Sequence, residues 1–135
     1  MPSNHPAPTP PRFHRYELPG GWIVLAGASD ADNDRLSLKE ARPTDWWFHV
    51  RGMSGSHVVL RSRPGEEPDT RTLKQAAAIA AYHSKARQGG VVGVACTRAR
   101  YVSKPRGARA GTVEIRRETV FKVRPALPRP QENGA

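Results

Sequence analysis

Cysteine is nearly absent: Cys96 stands alone in a chain of 135 residues. That excludes a disulfide framework and any zinc site built on cysteine. Long apolar runs are missing too. The longest, residues 22–28 and 76–82, have seven residues each, against the about 20 that a membrane-spanning helix requires. No N-terminal segment joins a basic flank to an apolar stretch of signal-peptide length. Acidic residues are scarce, with 12 Asp plus Glu against 22 Lys plus Arg. These shortages predict a soluble, cytoplasmic protein of one domain, with no membrane partner and no cofactor. A chain of this size buries roughly two thirds of its unfolded surface, so it folds without metal or disulfide.

The net charge of +10 is unevenly spread. Residues 16–70 carry nine acids and six bases, whereas residues 98–124 carry nine bases and two acids. A segregated basic surface concentrates polyanions and speeds their encounter. Arg outnumbers Lys 17 to 5, and the guanidinium suits bidentate contact with phosphate.

Eight of the 13 prolines lie in the terminal 22 residues. Residues 1–11 and 125–135 lack apolar periodicity and read as disordered Pro-rich tails. The folded part is then residues 12–124. Residues 13–18 and 21–27 read as strands joined at Pro19-Gly20-Gly21. A polar turn over residues 30–34 caps a short helix through Leu36, Leu38 and Ala41, which stops before Pro43. Residues 46–50 and 57–60 read as strands, and 62–71 as a charged loop. Thr72 then caps a helix running to about Gln88, ended by Gly89-Gly90, with Leu73, Ala76, Ala77, Ala80 and Ser84 on one face. Residues 91–97, 100–102, 112–116 and 119–123 complete the sheet. The expected class is α+β: a mixed, mostly antiparallel sheet with one long and one short helix packed on it.

Two constellations carry candidate chemistry. In a strand over residues 46–50, Trp47 and His49 share one face while Trp46, Phe48 and Val50 take the other. An aromatic ring and an imidazole on an accessible sheet face stack unpaired bases; buried, the same Trp47 fills a second layer instead. Asp45, His49 and His57 have metal-ligand chemistry, but their spacing matches no recognised ligand pattern and no fourth ligand is evident, so no metal is expected. Ser56 beside His57 is adjacency in sequence, which is not how triads are assembled. The second constellation is Lys104-Pro105-Arg106-Gly107-Ala108-Arg109-Ala110-Gly111. Three cations alternate with residues that keep the backbone open, and Arg98, Arg100 and Lys122 extend the patch. Lys85 and Arg87 complement the dipole at the end of the long helix, and Tyr82 and His83 read as core and rim.

Residues 45–61, in the pattern D-x-W-x-H-V-R-G-x-x-G-S-H-V-V-L-R, resemble the signature of the NFACT-R domain. This is the RNA-binding module at the C-terminal end of ribosome quality control factors of the RqcH and NEMF type. Agreement continues in Thr72-Leu73, Ala76-Ala77, residues 80–87, residues 101–109, Gly111 and Val113, and more loosely in Gly27, Asn33, Asp34 and Leu36. The blocks span about residues 20–124. Gly27-Ala28-Ser29 departs from the family's Gly-Arg-Asn, and Arg109-Ala110-Gly111 from its Lys-Pro-Gly. The length leaves no room for the NFACT-N domain, helix-hairpin-helix segments and coiled coil of tailing-competent relatives. The expectation is a stand-alone NFACT-R domain that does not itself extend nascent chains.

The resemblance and the charge together imply a non-catalytic RNA-binding module for structured RNA, tRNA or rRNA, with the ribosome or its large subunit as a partner and DNA left open as a competitor. Lys104, Arg106 and Arg109 are the expected phosphate contacts, with Arg51 and Arg61 nearer the signature and Arg98 and Arg100 on the flank. Trp47, His49 and His57 are expected to stack or hydrogen-bond, and Asp45, Gly55 and Ser56 to orient their loop. Two other readings compete: an RNA-processing or RNA-modifying enzyme built on Asp45, His49 and His57, and a protein-interaction module docking through the Pro-rich tails.

Overall fold

Gly20 and Gly21 both have φ in the left-handed region, +87° and +83°, where an L side chain is strained. They turn β1 (Phe13–Leu18) directly into β2 (Trp22–Gly27), paired from Phe13–Gly27 to Leu18–Trp22. This hairpin opens the computed structural model of the protein, which describes residues 10–129. A short helix α1 (Asp30–Arg35) follows, capped by the Ser29 hydroxyl, which accepts from the Asp32 amide. It runs on as a wider π-type turn (Leu36–Glu40). Strands β3 (Trp46–Val50) and β4 (Val58–Leu60), helix α2 (Thr70–Tyr82) and β5 (Val92–Arg98) come next. Then a 3-10 turn (Ala99–Tyr101), β6 (Val102–Ser103), β7 (Glu114–Ile115) and β8 (Thr119–Val123) complete the order.

Six strands form one sheet in the order β1-β2-β4-β3-β5-β8, every neighbouring pair antiparallel. The fold is α+β, as the patterning predicts. Alternation along the strands divides the core into two layers. Val24, Phe48, Val58, Leu60 and Val94 face α2, whose Ala76, Ala77, Ala80 and Ala81 let the helix lie close to the sheet. Trp47 and Val59 face the other way, against Leu36 of the π-type turn, with Val102, Val113 and Ile115 alongside. The central strands are therefore covered on both faces. No helix among the described residues is long and apolar enough to cross a membrane.

Three local expectations are corrected. The cap of α2 is Asp69, whose carboxylate accepts from the Thr72 amide at 2.8 Å; Thr72 itself is buried inside the helix. The helix also ends at Tyr82, well before Gln88. The residues after it are recruited sideways: the Ser56 amide donates to the His83 carbonyl, the Lys85 amide donates to the Ser54 carbonyl, and Gly55 bridges to Ser84. Arg87 then donates from Nε to the Tyr82 carbonyl and lies over the Tyr82 ring. Finally, residues 100–101 form the 3-10 turn, while β6 and β7 form their own two-stranded hairpin on the face of the sheet opposite α2. The Pro-rich tails over residues 1–9 and 130–135 lie outside the described residues. Within residues 125–129, the Ala126 amide donates to the Ala78 carbonyl and so lays the chain along α2.

Candidate nucleic-acid interface

The basic loop over residues 104–111 connects β6 to β7, and both of its ends are tied to one carboxylate. Asp34 accepts from Lys104 Nζ at 2.9 Å through Oδ2 and from the Gly111 amide at 3.0 Å through Oδ1. Lys104 Nζ also donates to the Arg109 carbonyl. The Ala108 amide donates to the Pro105 carbonyl and the Thr112 amide to the Arg109 carbonyl, so the turn closes despite its departure from Lys-Pro-Gly. Gly111, at φ +85°, sits hard against Asp30, where a Cβ would come within 2.9 Å of a carboxylate oxygen.

A buried relay holds the same loop from below. His57 Nε2 lies 3.0 Å from the Gly111 carbonyl oxygen, an atom that only accepts, so Nε2 carries the proton. Nδ1 then accepts from the Ser37 hydroxyl at 2.7 Å, and Ser37 Oγ accepts from Trp47 Nε1 at 2.8 Å. The His57 amide donates to Asn33 Oδ1. His57 is 2 % exposed. Burial first, and the neighbouring His49 second, push its pKa down to about 4, so the imidazole is neutral near pH 7.

These contacts correct part of the expected site. Trp47, 2 % exposed, and His57 do not offer an open stacking face, because α1 and the π-type turn cover that side of the sheet. Their polar atoms position the basic loop instead. His49 is half-buried with its ring stacked on Trp47 at 6.0 Å, and burial lowers its pKa. Asp45 is fully buried and accepts from the Arg42 amide, Arg61 Nη1, the Ser62 amide and the Ser62 hydroxyl. It does not join the two histidines, and no group of three His, Cys, Asp or Glu able to hold a metal occurs among the described residues. Ser56 fastens its own loop by donating to the Gly27 carbonyl at 2.7 Å, and Gly55 lies where a Cβ would meet Ser84 Cβ at 2.8 Å.

The cations fall into two sets. Arg61 pairs with Glu40 and Asp45, Arg63 with Glu66, Arg98 with Glu67, and Lys104 with Asp34. Arg98 also lies on the Trp46 ring at 3.6 Å. Arg51, Arg100, Arg106 and Arg109 are exposed and make no ion pair among the described residues. Of the expected phosphate contacts, then, these four have charge to spare. Lys104 and Arg61 are internal clamps.

Residues 12–117 match the family described as NFACT protein RNA binding domain. The chain belongs to that family. It is 41 % identical over 115 residues to the Rqc2 homolog RqcH of Bacillus subtilis, a match covering 84 % of this chain and 20 % of that protein. It is 34 % identical over 121 residues to the RqcH of Streptococcus suis, covering 84 % and 22 %. The chain thus spans about a fifth of the length of these curated relatives. In structure it superposes on the C-terminal part of the fibronectin/fibrinogen-binding protein of Streptococcus suis, with TM-score 0.82 and 32 % identity, over 91 % of this chain and 50 % of that one.

In this NFACT-R domain, several residues that build the site carry no loud signal in the sequence. Asn33 and Asp34 sit in the stretch that reads as a polar turn and Ser37 in the short helix after it, yet Asp34 anchors the basic loop, Asn33 the His57 backbone and Ser37 the His57 ring. Ala28 is exposed, and Ser29 serves as the α1 cap. A pocket of about 430 Å³ opens between this segment, Ser54, Ser56, Ser84 and Lys85. Tyr101, Arg116 and Arg117 have no spacing that marks them as a group, but the fold gathers them with Arg100 at one corner.

Proposed function

We propose that the protein is a non-catalytic RNA-binding module for structured RNA, tRNA or rRNA, acting in ribosome-associated quality control or a related RNA pathway in the cytoplasm. The observation that carries this reading is the basic loop: clamped by Asp34 and His57, it presents Arg106 and Arg109, which make no ion pair among the described residues. A preorganised cationic loop loses little conformational freedom when it meets a phosphate backbone. Arg51 and Arg100 extend the contact, with the ribosome or its large subunit as the larger partner. The names of the relatives support the pathway, and the engagement of Asp45 with Arg61 and Ser62, away from the histidines, speaks against an acid/base site. Any preference for RNA over DNA has to come from shape and 2′-hydroxyl contacts.

Fluorescence anisotropy titration of tRNA, single-stranded RNA and duplex DNA across a salt series tests the reading. Tight tRNA binding with a steep salt dependence, reduced in Arg106→Ala/Arg109→Ala, is expected. Equally feeble binding of every nucleic acid, unchanged in that variant, would overturn it.

A further inference from the structure

Tyr101 stands in the 3-10 turn between β5 and β6, half-buried, with three guanidinium groups around its ring. Arg117, Arg116 and Arg100 lie 5.3, 5.8 and 6.0 Å from the ring centroid. Elsewhere in the molecule, rings that meet an arginine are capped by it: Trp46 at 3.6 Å, Trp22 at 4.1 Å and Tyr82 at 4.1 Å. Tyr101 is surrounded but not capped. Nor do its three arginines make an ion pair with a carboxylate among the described residues, whereas Arg61, Arg63 and Arg98 each do. Like charges gathered without counter-ions repel one another, and a polyanion relieves that repulsion.

The corner is built rather than accidental. Arg117 has φ +55°, the one non-glycine residue with positive φ among the described residues. A bulky side chain in that region is uncommon, and such strain gathers at functional sites. It is held by Thr97, whose hydroxyl donates to the Arg116 carbonyl at 2.6 Å, and by the Arg116 amide, which donates to the Tyr101 carbonyl. On the Arg100 side of Tyr101 a cleft of about 720 Å³, bordered by these two residues with Arg42 and Trp46, has the size of sites that take small organic ligands, about 300–1,000 Å³. Its two acids, Glu66 and Glu67, are already paired with Arg63 and Arg98.

We propose that Tyr101 with Arg100, Arg116 and Arg117 forms a second nucleic-acid subsite, which takes an unpaired nucleotide by stacking its base on Tyr101 and binding its flanking phosphates with the three arginines. The base enters the cleft, and the strand leaves over β7 and β8. This rests on the RNA-binding reading and adds to it a preference for RNA with single-stranded segments. A π-face stacks any base, so the subsite is tolerant of sequence.

The test compares labelled oligouridine, a blunt RNA duplex and oligothymidine by anisotropy at one salt concentration. Tyr101→Leu keeps the bulk but removes the π-face, Tyr101→Phe keeps the face, and Arg116→Gln/Arg117→Asn changes only exposed side chains, so a folding defect in the first leaves the third informative. Tyr101→Leu and the double variant are expected to lose about tenfold in affinity for oligouridine, with duplex binding unchanged and Tyr101→Phe near wild type. An equal loss on oligothymidine assigns the subsite to unpaired bases on either sugar; a loss on oligouridine alone assigns it to RNA. Unchanged oligouridine binding in both variants, or an equal fall on the duplex, would overturn the subsite. Duplex or tRNA binding that still depends on Arg106 and Arg109 would then leave the RNA-binding reading standing, whereas no RNA binding by the wild type would remove both.

Discussion

His57 Nε2 donates to the carbonyl of Gly111 at 3.0 Å, joining the middle of the sheet to the far end of the basic loop. Two features of the sequence that look independent, the G-S-H step of the signature and the glycine after Arg109-Ala110, are thus one device. Protonation leaves the Nε2 donor to Gly111 in place but breaks the other half of the relay, because a protonated Nδ1 can no longer accept from Ser37.

That relation fixes a pH dependence. Burial lowers the His57 pKa from 6.5 to about 4. Above about pH 6.5 both folded and unfolded chains leave the ring neutral, and the network contributes in full. Between 6.5 and about 4 the unfolded chain takes up a proton that the folded chain refuses. Stability therefore falls as pH falls through this window, by up to about 1.4 kcal/mol per pH unit for one such group. His83, which burial beside His14 also holds at about 4, adds to the slope. Chemical denaturation between about pH 7 and 4 is expected to show a shallower slope, though not a flat one, for His57→Gln. Identical slopes for variant and wild type would remove His57 from the account.

Asp34 gives the sharper test, because charge and structure predict opposite signs. Asp34→Ala raises the net positive charge by one, which taken alone strengthens RNA binding. It also frees Lys104 and the Gly111 amide together. Re-ordering a loosened loop on the ligand costs about 0.5–1.5 kcal/mol for each side chain immobilised. Affinity for tRNA is therefore expected to fall about threefold or more, with Arg106 and Arg109 intact. A rise in affinity would show that loop order is irrelevant.

The same two residues mark how far the sequence could be read. Gly20-Gly21 and the alternation of residues 46–50 are local signals, so the first hairpin and the two-faced strand β3 are legible from them. Alternation says that Trp47 and His49 share a face, but not what covers it. The cover begins with the segment Asp30–Arg35, whose polar sequence reads as an exposed turn. The end of α2 is equally hidden, because Gly55, nearly thirty residues away, pairs with Ser84 and takes the chain out of the helix. Charge counting finds the basic loop yet cannot tell a free cation from a spent one: the counter-ion of Lys104 lies 70 residues earlier.

Arg61 is the clearest spent cation inside the signature. Its partner Asp45 is 0 % exposed, and Arg61 Nη1 approaches it at 3.0 Å while also donating to the Glu40 carbonyl. Removing one member of a buried pair leaves the other uncompensated, at a cost of about 3 kcal/mol. Arg61→Ala is expected to lower the denaturation midpoint substantially, while the folded variant keeps the wild-type salt dependence of RNA binding. A stable variant with a reduced salt dependence would instead place Arg61 on a phosphate.

Salt dependence also separates the cations of the basic loop. For each phosphate left without its cation, the slope of log K against log salt falls by roughly 0.7–0.9. Arg106→Ala and Arg109→Ala are each expected to reduce it by about that amount, since neither guanidinium has an internal carboxylate among the described residues. Lys104 is different: its ammonium is already matched by Asp34 at 2.9 Å, so it releases few counter-ions when RNA arrives. Lys104→Met is expected to weaken binding by loosening the loop while leaving the slope near that of the wild type. If all three substitutions reduced the slope equally, Lys104 would have to leave Asp34 for a phosphate in the complex, and the clamp would be a feature of the free protein alone.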